Sequence, residues 1–502
     1  MQAYADSGTL ISDIARAADV MIRLPCSGNG RCGRCNVSVS KKDGTPQMAL
    51  ACQTRIDSDI NVTIPPDGGD VIASNDHRKL RLDDVTPLVT SKAMDCYGLA
   101  VDIGTTTVAV SVMDMRGGTE IYKAAGYNTQ GTRGDDILSR MEYAYEGGTE
   151  ELRGLVVKAI NDLIEPFEGD TDNILAAYIS GNTVMMHLFL GTDPSPMRRP
   201  PYEPVVKEKE ITGEESGLNI NEDARVVCMP SPAAYVGGDV MSDVVNSDMD
   251  AVEEMSLLID VGTNGEVALG NKDVMMVCSS SAGPAFEGGK MTSGMMAKPG
   301  AIDSFKIVNG KFEFTVIGGR DPKGICGSGL IDLLAQLFLN GLIDKKGRFT
   351  DKASVTTVNG TRLLTITEGV FISEDDIRTA VMTKAAIYSA ASSLVKGLGI
   401  GMSDVAKIYI AGGFGNFINT ESAIAIGMLP DIPRKRFVYL GNASLAGAKQ
   451  ALLSSSARAR LSAVFKRTTY VDLSSDPMFS DEYMSALFIP HTDAARFPSY
   501  LK

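Results

Sequence analysis

One short phrase occurs twice in this chain. Asp102-Ile103-Gly104-Thr105 returns 158 residues later as Asp260-Val261-Gly262-Thr263. Apolar, β-rich text flanks both copies: GLAVDIGTTTVAVSVMD at 98–114 and LLIDVGTNGEVALG at 257–270. Each reads as a strand, an acidic residue, a Gly-Thr turn and a second strand. A repeat on this scale implies two related lobes facing each other. Glycine in such a turn lets the backbone approach a polyphosphate, while threonine hydroxyls and hairpin N–H groups donate to phosphate oxygens. The first cradle is Gly104, Thr105, Thr106 and Thr107, and the second is Gly262, Thr263, Asn264 and Gly265. Asp102 and Asp260 are the candidates to hold Mg²⁺ through water or to orient an attacking water, with Glu266 as a water-positioning carboxylate. The plain alternative is a pair of ordinary β-hairpins.

Three further segments belong with these turns. KIYIAGGFGN (407–416) runs a buried strand into Gly412-Gly413, where a flat ring such as adenosine can lie against the backbone. GICGSGLIDLLAQLFLNGLI (324–343) opens an amphipathic helix with a glycine turn, and YISGNTVMMHLFLG (178–191) is its counterpart in the first half. His187 lies in an apolar helix and reads as a core histidine.

The cysteines set the N-terminus apart. Of eight, four crowd into the first tenth of the chain: Cys26, Cys32, Cys35 and Cys52. Gaps of five, two and sixteen residues separate them. Zinc sites pair close cysteines with a second pair or with histidines. A close trio plus one distant thiolate favours a [2Fe–2S] cluster over zinc. Thr9–Val20 has a helical rhythm, while Asn36–Ser40 and Asp59–Ile64 alternate like strands. This module resembles the β-grasp ferredoxins, although only about eight residues precede its helix, so either the usual first strand is missing or the start site is misassigned. Cys96, Cys228, Cys278 and Cys326 are scattered and read as packing residues.

Net charge is −14, which argues against nucleic acid or an anionic membrane as partner. No run of 18 apolar residues occurs, and MQAYADSGTL lacks a basic segment followed by an apolar one. The expectation is a cytoplasmic protein. Domain limits are expected at 1–66 for the ferredoxin module, 67–96 for a linker, and 97–502 for the remainder in two lobes, 97–256 and 257–502. A flexible linker of about 30 residues spans roughly 30 Å; a packed connector is the equal alternative.

From 97 onward the order of phosphate turn, connecting helix, phosphate turn, connecting helix and glycine turn resembles the actin, heat-shock and sugar-kinase ATPases. The implied fold is α/β and α+β multidomain: a β-grasp ferredoxin, then a two-lobed actin-like ATPase built on a duplicated ribonuclease H-like unit. Joined to the ferredoxin, and with CSSSAGPAFEGGKMTSGMMAKPGAID (278–303) and LSSDPMFSDEYMSALFIPH (473–491), the chain resembles the reductive activators of corrinoid proteins and methyltransferases. That resemblance implies ATP, Mg²⁺ and a [2Fe–2S] cluster as cofactors. It implies an electron passed to the Co(II) corrinoid of a partner protein or methyltransferase, with an upstream low-potential donor and a homodimer as one assembly it allows. Longer members carry a middle domain, for which this chain is expected to have only the linker. The alternatives are an activator of another low-potential metalloenzyme, such as a dehydratase, and a small-molecule kinase.

Overall fold

A computed structural model describes residues 2–18, 20, 22, 35–41, 46–63, 80–91, 95–262, 264–289, 291–358, 360–412 and 417–500. Cys26, Cys32, Thr263 and Gly413 lie outside the described residues. In the N-terminal module a helix, Ile11–Ala17, packs on strands β1 (Asn36–Lys41), β2 (Gln47–Leu50) and β3 (Ile60–Thr63), in the antiparallel order β2-β1-β3. Ahead of the helix, Leu10 bridges Arg55 and the Gly8 amide donates to the Ile56 carbonyl at 2.7 Å. Ile11, Ala15, Val37, Ala51 and both Cys35 and Cys52 form its small core.

Two six-stranded sheets follow. The first holds β4 (Tyr97–Ile103), β5 (Thr107–Asp114), β6 (Thr119–Tyr127), β7 (Ile174–Gly181), β8 (Lys209–Thr212) and β9 (Arg225–Cys228), in the order β6-β5-β4-β7-β9-β8. The second begins with β10 (Ser256–Val261), β11 (Gly265–Gly270) and β12 (Met275–Ser280). Two three-stranded sheets are inserted next: β13 (Ala301–Val308), β14 (Lys311–Val316) and β15 (Gly324–Ile325), then β16 (Val355–Val358), β17 (Thr361–Thr367) and β18 (Val370–Ser373). The sheet closes with β19 (Lys407–Ala411), β20 (Phe437–Gly441) and β21 (Thr468–Tyr470), in the order β20-β19-β10-β11-β12-β21. In both sheets three antiparallel strands joined by hairpins precede two parallel ones, so β4 and β10 are equivalent central strands. Asp102 and Asp260 stand at the same end of these strands. The duplication seen in the text is a duplication of topology.

A shared apolar layer joins the lobes. Ala100 and Met113 of the first sheet and Leu258, Ala268 and Val277 of the second enclose two helices, Gly238–Ser247 and Ala443–Leu453. The helices cross at Gly447, where a Cβ would stand 2.5 Å from the Ser242 carbonyl oxygen. Ser180 at the end of β7 bonds to Ser242 at 2.9 Å and to Ser444 at 2.8 Å. All three hydroxyls are buried.

The described half of the linker is not a tether. Its Thr86 and Leu88 amides donate to the Leu453 and Leu452 carbonyls, each at 2.9 Å, and Gln450 donates to the Arg81 carbonyl at 3.0 Å. Asp84 caps the next helix, Ser455–Arg467, accepting from Ser454 and from the Ser455 hydroxyl at 2.9 Å. Leu80, Leu82, Leu88 and Val89 pack against the interlobe layer. The packed alternative therefore holds for 80–91, because these amides satisfy carbonyls that a helix end leaves open.

Gly447→Ala is expected to lower unfolding stability by about 1–3 kcal/mol through overpacking of the helix crossing. Gly154→Ala, mid-helix with nothing within 4 Å of its Cβ position, should instead raise stability by roughly 0.5–1 kcal/mol. Urea unfolding of the two variants checks the contrast.

Candidate functional site

Between the lobes lies a cavity of about 620 Å³, and both phosphate turns line it. The first turn closes tightly, with the Gly104 amide donating to the Thr107 carbonyl at 2.9 Å. A Cβ on Gly104 would lie 2.7 Å from that oxygen, so glycine is required. Three residues clamp the turn from behind: Asn128 donates to the Gly104 carbonyl at 2.7 Å, buried Arg140 donates to the Thr105 carbonyl, and Asn182 donates to the Thr105 hydroxyl at 3.2 Å. The threonine hydroxyls and amides are thereby presented to the cavity by a fixed frame. Asn182 also caps the connecting helix Thr183–Phe189. In the second turn the Gly262 amide donates to the Asn264 carbonyl at 3.1 Å. Gly265 lies beneath that turn, buried, and its carbonyl accepts from Ser280 at 3.1 Å. Gly412 has φ +101°, and a Cβ there would stand 2.5 Å from the Val261 carbonyl oxygen. Phe417, Gly318 and Ser328 line the same cavity.

Seven carboxylates are among the described lining residues of the cavity: Glu287, Asp303 and a group of five, Asp102, Asp239, Asp243, Asp260 and Glu266. Asp102 accepts from Asn442 at 2.8 Å and from Ser444 at 2.7 Å, both from the opposite lobe. Asp260 pairs in register with Glu266 across β10 and β11. Asp239 and Asp243 are one turn apart on the helix Gly238–Ser247. Burial raises the proton affinity of all five, against the hydrogen bonds that favour ionised Asp102. Asp239 and Asp260 are pushed up to about 7, first by burial and then by neighbouring acids. Among the described lining residues the one cation is Lys298.

This set fits a hydrated magnesium ion. Buried Asp243 has no amide or hydroxyl donor on either oxygen and meets the Asp260 carboxyl instead, a costly state unless a proton is shared or the pair faces a cation. Among the described residues no three acid, histidine or cysteine side chains form a closed metal cage. Mg²⁺ bound to nucleotide uses one or two carboxylates, water and phosphate oxygens rather than such a cage.

In the N-terminal module the β1–β2 pairing sets Asn36 opposite Leu50, which brings Cys35 and Cys52 together across the sixteen-residue gap. Their sulfurs lie 3.1 Å apart, and the Cys52 amide points at the Cys35 sulfur at 3.4 Å. That is too long for a disulfide, about 2.05 Å. It suits thiolate ligands with an N–H···S bond of the kind that tunes iron–sulfur clusters. The scattered cysteines are buried, and burial raises the thiols of Cys228, Cys278 and Cys326. His187 is buried with both ring nitrogens bonded to backbone, to the Thr183 carbonyl and the Val206 amide.

Residues 254–501 match the family described as the C-terminal domain of RACo, the ASKHA domain. A solved structure described as a reductive activator for corrinoid, iron-sulfur protein is 32% identical, with a TM-score of 0.78 over 99% of this chain and 98% of its own. The chain belongs to the RACo family. Residues 2–57 match the 2Fe-2S iron-sulfur cluster binding domain, and 97–252 match the RACo middle region. The corrinoid activation enzyme RamQ of Eubacterium limosum is 29% identical over 95% of both chains. The [Co(II) methylated amine-specific corrinoid protein] reductase of Methanosarcina barkeri is 26% identical over 78% of this chain and 76% of its own. The fold is thus a ferredoxin module followed by an actin-like ATPase, and the cofactors are a [2Fe–2S] cluster and ATP with Mg²⁺. The expected loss of a middle domain is corrected: the family's middle region matches the first six-stranded lobe itself. Among the described residues no helix is long and apolar enough to cross a membrane.

Several residues of the site escaped the sequence reading: Asn128, Arg140, Asn182, Asp239, Asp243 and the Asn442/Ser444 pair. VGGDVMSD (236–243) carried a signal, two acids at helical i, i+4 spacing behind Gly-Gly.

Between about pH 4 and pH 7 the native cleft holds more protons than the unfolded chain. The stability due to its raised carboxyls is complete at acid pH and is lost as pH rises through about 7. The nucleotide-free protein is therefore expected to melt at progressively lower temperature from pH 5 to pH 8, with Mg²⁺–ADP reversing the loss. Asp243→Asn should flatten the profile. Differential scanning fluorimetry across pH, with and without Mg²⁺–ADP, checks this.

Proposed function

We propose that the chain is an ATP-hydrolysing reductive activator that passes an electron from its [2Fe–2S] cluster to the Co(II) corrinoid of a partner protein or corrinoid-dependent methyltransferase, restoring Co(I). One observation carries the reading: a buried thiol pair and an acid-lined nucleotide cleft occur on one chain. A small-molecule kinase has no use for the thiols. The names of the relatives, which speak of corrinoid activation and of a Co(II) corrinoid reductase, support the same reading. When bound, the cluster supplies single electrons at low potential, about −400 mV for plant-type ferredoxins.

The chain's own residues divide the work. Cys26, Cys32, Cys35 and Cys52 are the proposed ligands of the module at 1–66. Thr105, Thr106 and Thr107 donate to phosphate oxygens, and Thr263, Asn264 and Gly412-Gly413 serve the second turn and the adenosine. Asp102 and Asp260 hold the waters of the cation, and Glu266, whose proton affinity burial raises, takes the proton of an attacking water. Because Asp102 is bonded to Asn442 and Ser444, a change of charge there is felt at the helix on which both lobes close. Nucleotide controls partner binding only by binding the open and closed forms differently. An upstream low-potential donor reloads the module, and the cytoplasm, where thiols stay reduced, suits it.

The test is anaerobic. The protein, a Co(II) corrinoid protein and a low-potential reductant are mixed, and Co(I) absorption is followed with and without ATP. Cys52→Ser is expected to abolish Co(I) formation and spare ATP turnover. Asp102→Ala should cut ATP turnover by on the order of 10²-fold, the loss typical of one transition-state contact, with visible absorption unchanged. No ATP-dependent Co(I) with any corrinoid partner sinks the reading.

A further inference from the structure

Glu287 lines the cleft together with the five grouped acids and Asp303. It ends the short turn Pro284–Glu287, which follows β12 and the serine run Ser279-Ser280-Ser281. Its side chain crosses to the other lobe, where Oε2 accepts from the Thr106 hydroxyl at 2.8 Å. The other oxygen, Oε1, lies 3.7 Å from the point a Cβ on Gly262 would occupy. One carboxylate thus stands between both phosphate turns, and its charge is felt at Asp260.

A polyphosphate seated on those turns meets this carboxylate in two ways. It competes for the Thr106 hydroxyl, and its negative charge repels Glu287 at close range. Both effects drive the side chain away from the first lobe. The turn itself is packed on both flanks by its own lobe, so the bond to Thr106 is its tie to the other lobe that a polyphosphate would contest. A Cβ on Gly327 would stand 1.9 Å from the Phe286 carbonyl oxygen, so the turn abuts the start of the helix Gly327–Leu339. Thr383 donates to the Ala282 carbonyl at 2.6 Å. Beyond the turn, Gly288 lies against the Met295 backbone, with Cβ distances of 2.4 Å, and Met295, Met296 and Lys298 form a wall of the cavity.

We propose that Glu287 is a nucleotide-sensing latch: its bond to Thr106 bolts the segment 278–300 to the opposite lobe, and a bound polyphosphate releases it. The latch is a positioning device rather than part of the hydrolytic machinery. It rests on nucleotide binding in the cleft, and it extends the activator reading by giving nucleotide state a path to the outer segment. Its test needs no corrinoid, so its failure and the failure of that reading are separable.

The full-length protein is examined by hydrogen–deuterium exchange and by binding of Mg²⁺ with a non-hydrolysable ATP analogue. In the wild type, the analogue should speed amide exchange in 278–300 by about threefold or more. Glu287→Ala should bind the analogue about 2–5-fold tighter, the scale of one solvent-screened charge contact, and 278–300 should exchange fast with or without it. Thr106→Val should open the segment without tighter binding, because the charge remains. Glu287→Gln, which keeps an acceptor and removes the charge, covers the case in which the alanine variant fails to fold, and it too should bind tighter. Exchange in 278–300 that ignores the analogue overturns the latch. Weaker binding by Glu287→Ala or Glu287→Gln also overturns it, making Glu287 a ligand of the metal or nucleotide.

Discussion

Asp102 belongs to the first lobe by sequence and to the second by bonding. Asn442 and Ser444, at the start of the helix Ala443–Leu453, hold both of its oxygens. Ser444 continues through Ser180 to Ser242 on the other interlobe helix. The two helices meet where Gly447 gives way to the Ser242 backbone. The Asp102 carboxylate is therefore joined by hydroxyls to the crossing of the two interlobe helices. A charge placed beside Asp102 acts on that crossing without any longer path.

The pseudo-symmetric partner of this arrangement is chemically different. Ser444 is the second residue of its helix, and Asp239 is the second residue of the helix Gly238–Ser247. Where Asp102 meets an amide and a hydroxyl, Asp260 meets Asp239, Asp243 and Glu266, all raised by burial. Duplication supplied two equal strands and turns, and the helices that answer them diverged. One half neutralises its carboxylate with hydrogen bonds. The other leaves a pool of acids that protons or a cation must neutralise.

Local chemistry was readable from the sequence, and long-range juxtaposition was not. The repeated Asp-Ile-Gly-Thr and Asp-Val-Gly-Thr turns were legible because turn geometry depends on neighbouring residues alone. The cysteine spacing was legible for the same reason, and β1–β2 pairing brings Cys35 to Cys52 as that spacing required. Asp239 and Asp243 were not, since a helix start with two acids acquires its meaning only from the Asp260 it faces. The Thr106–Glu287 bond joins residues 181 apart, beyond any local pattern. Segment 80–91 has no period because its amides bond to the end of another helix instead of to a repeating partner. The expected missing domain failed because the reading had already given 97–256 to the ATPase.

Net charge, read from the sequence as a surface property, is partly an interior one here. The count of −14 treats every acid as ionised, yet the cleft acids hold protons near neutrality because burial makes their charge costly. A cation placed among them would displace those protons, because it stabilises the ionised carboxylates. The segment 80–91 docks on the helix that forms the crossing, through the Leu452 and Leu453 carbonyls and Gln450. Any shift of that helix is therefore carried to 80–91, and the contact of Gly447 with Ser242 limits how far it can go.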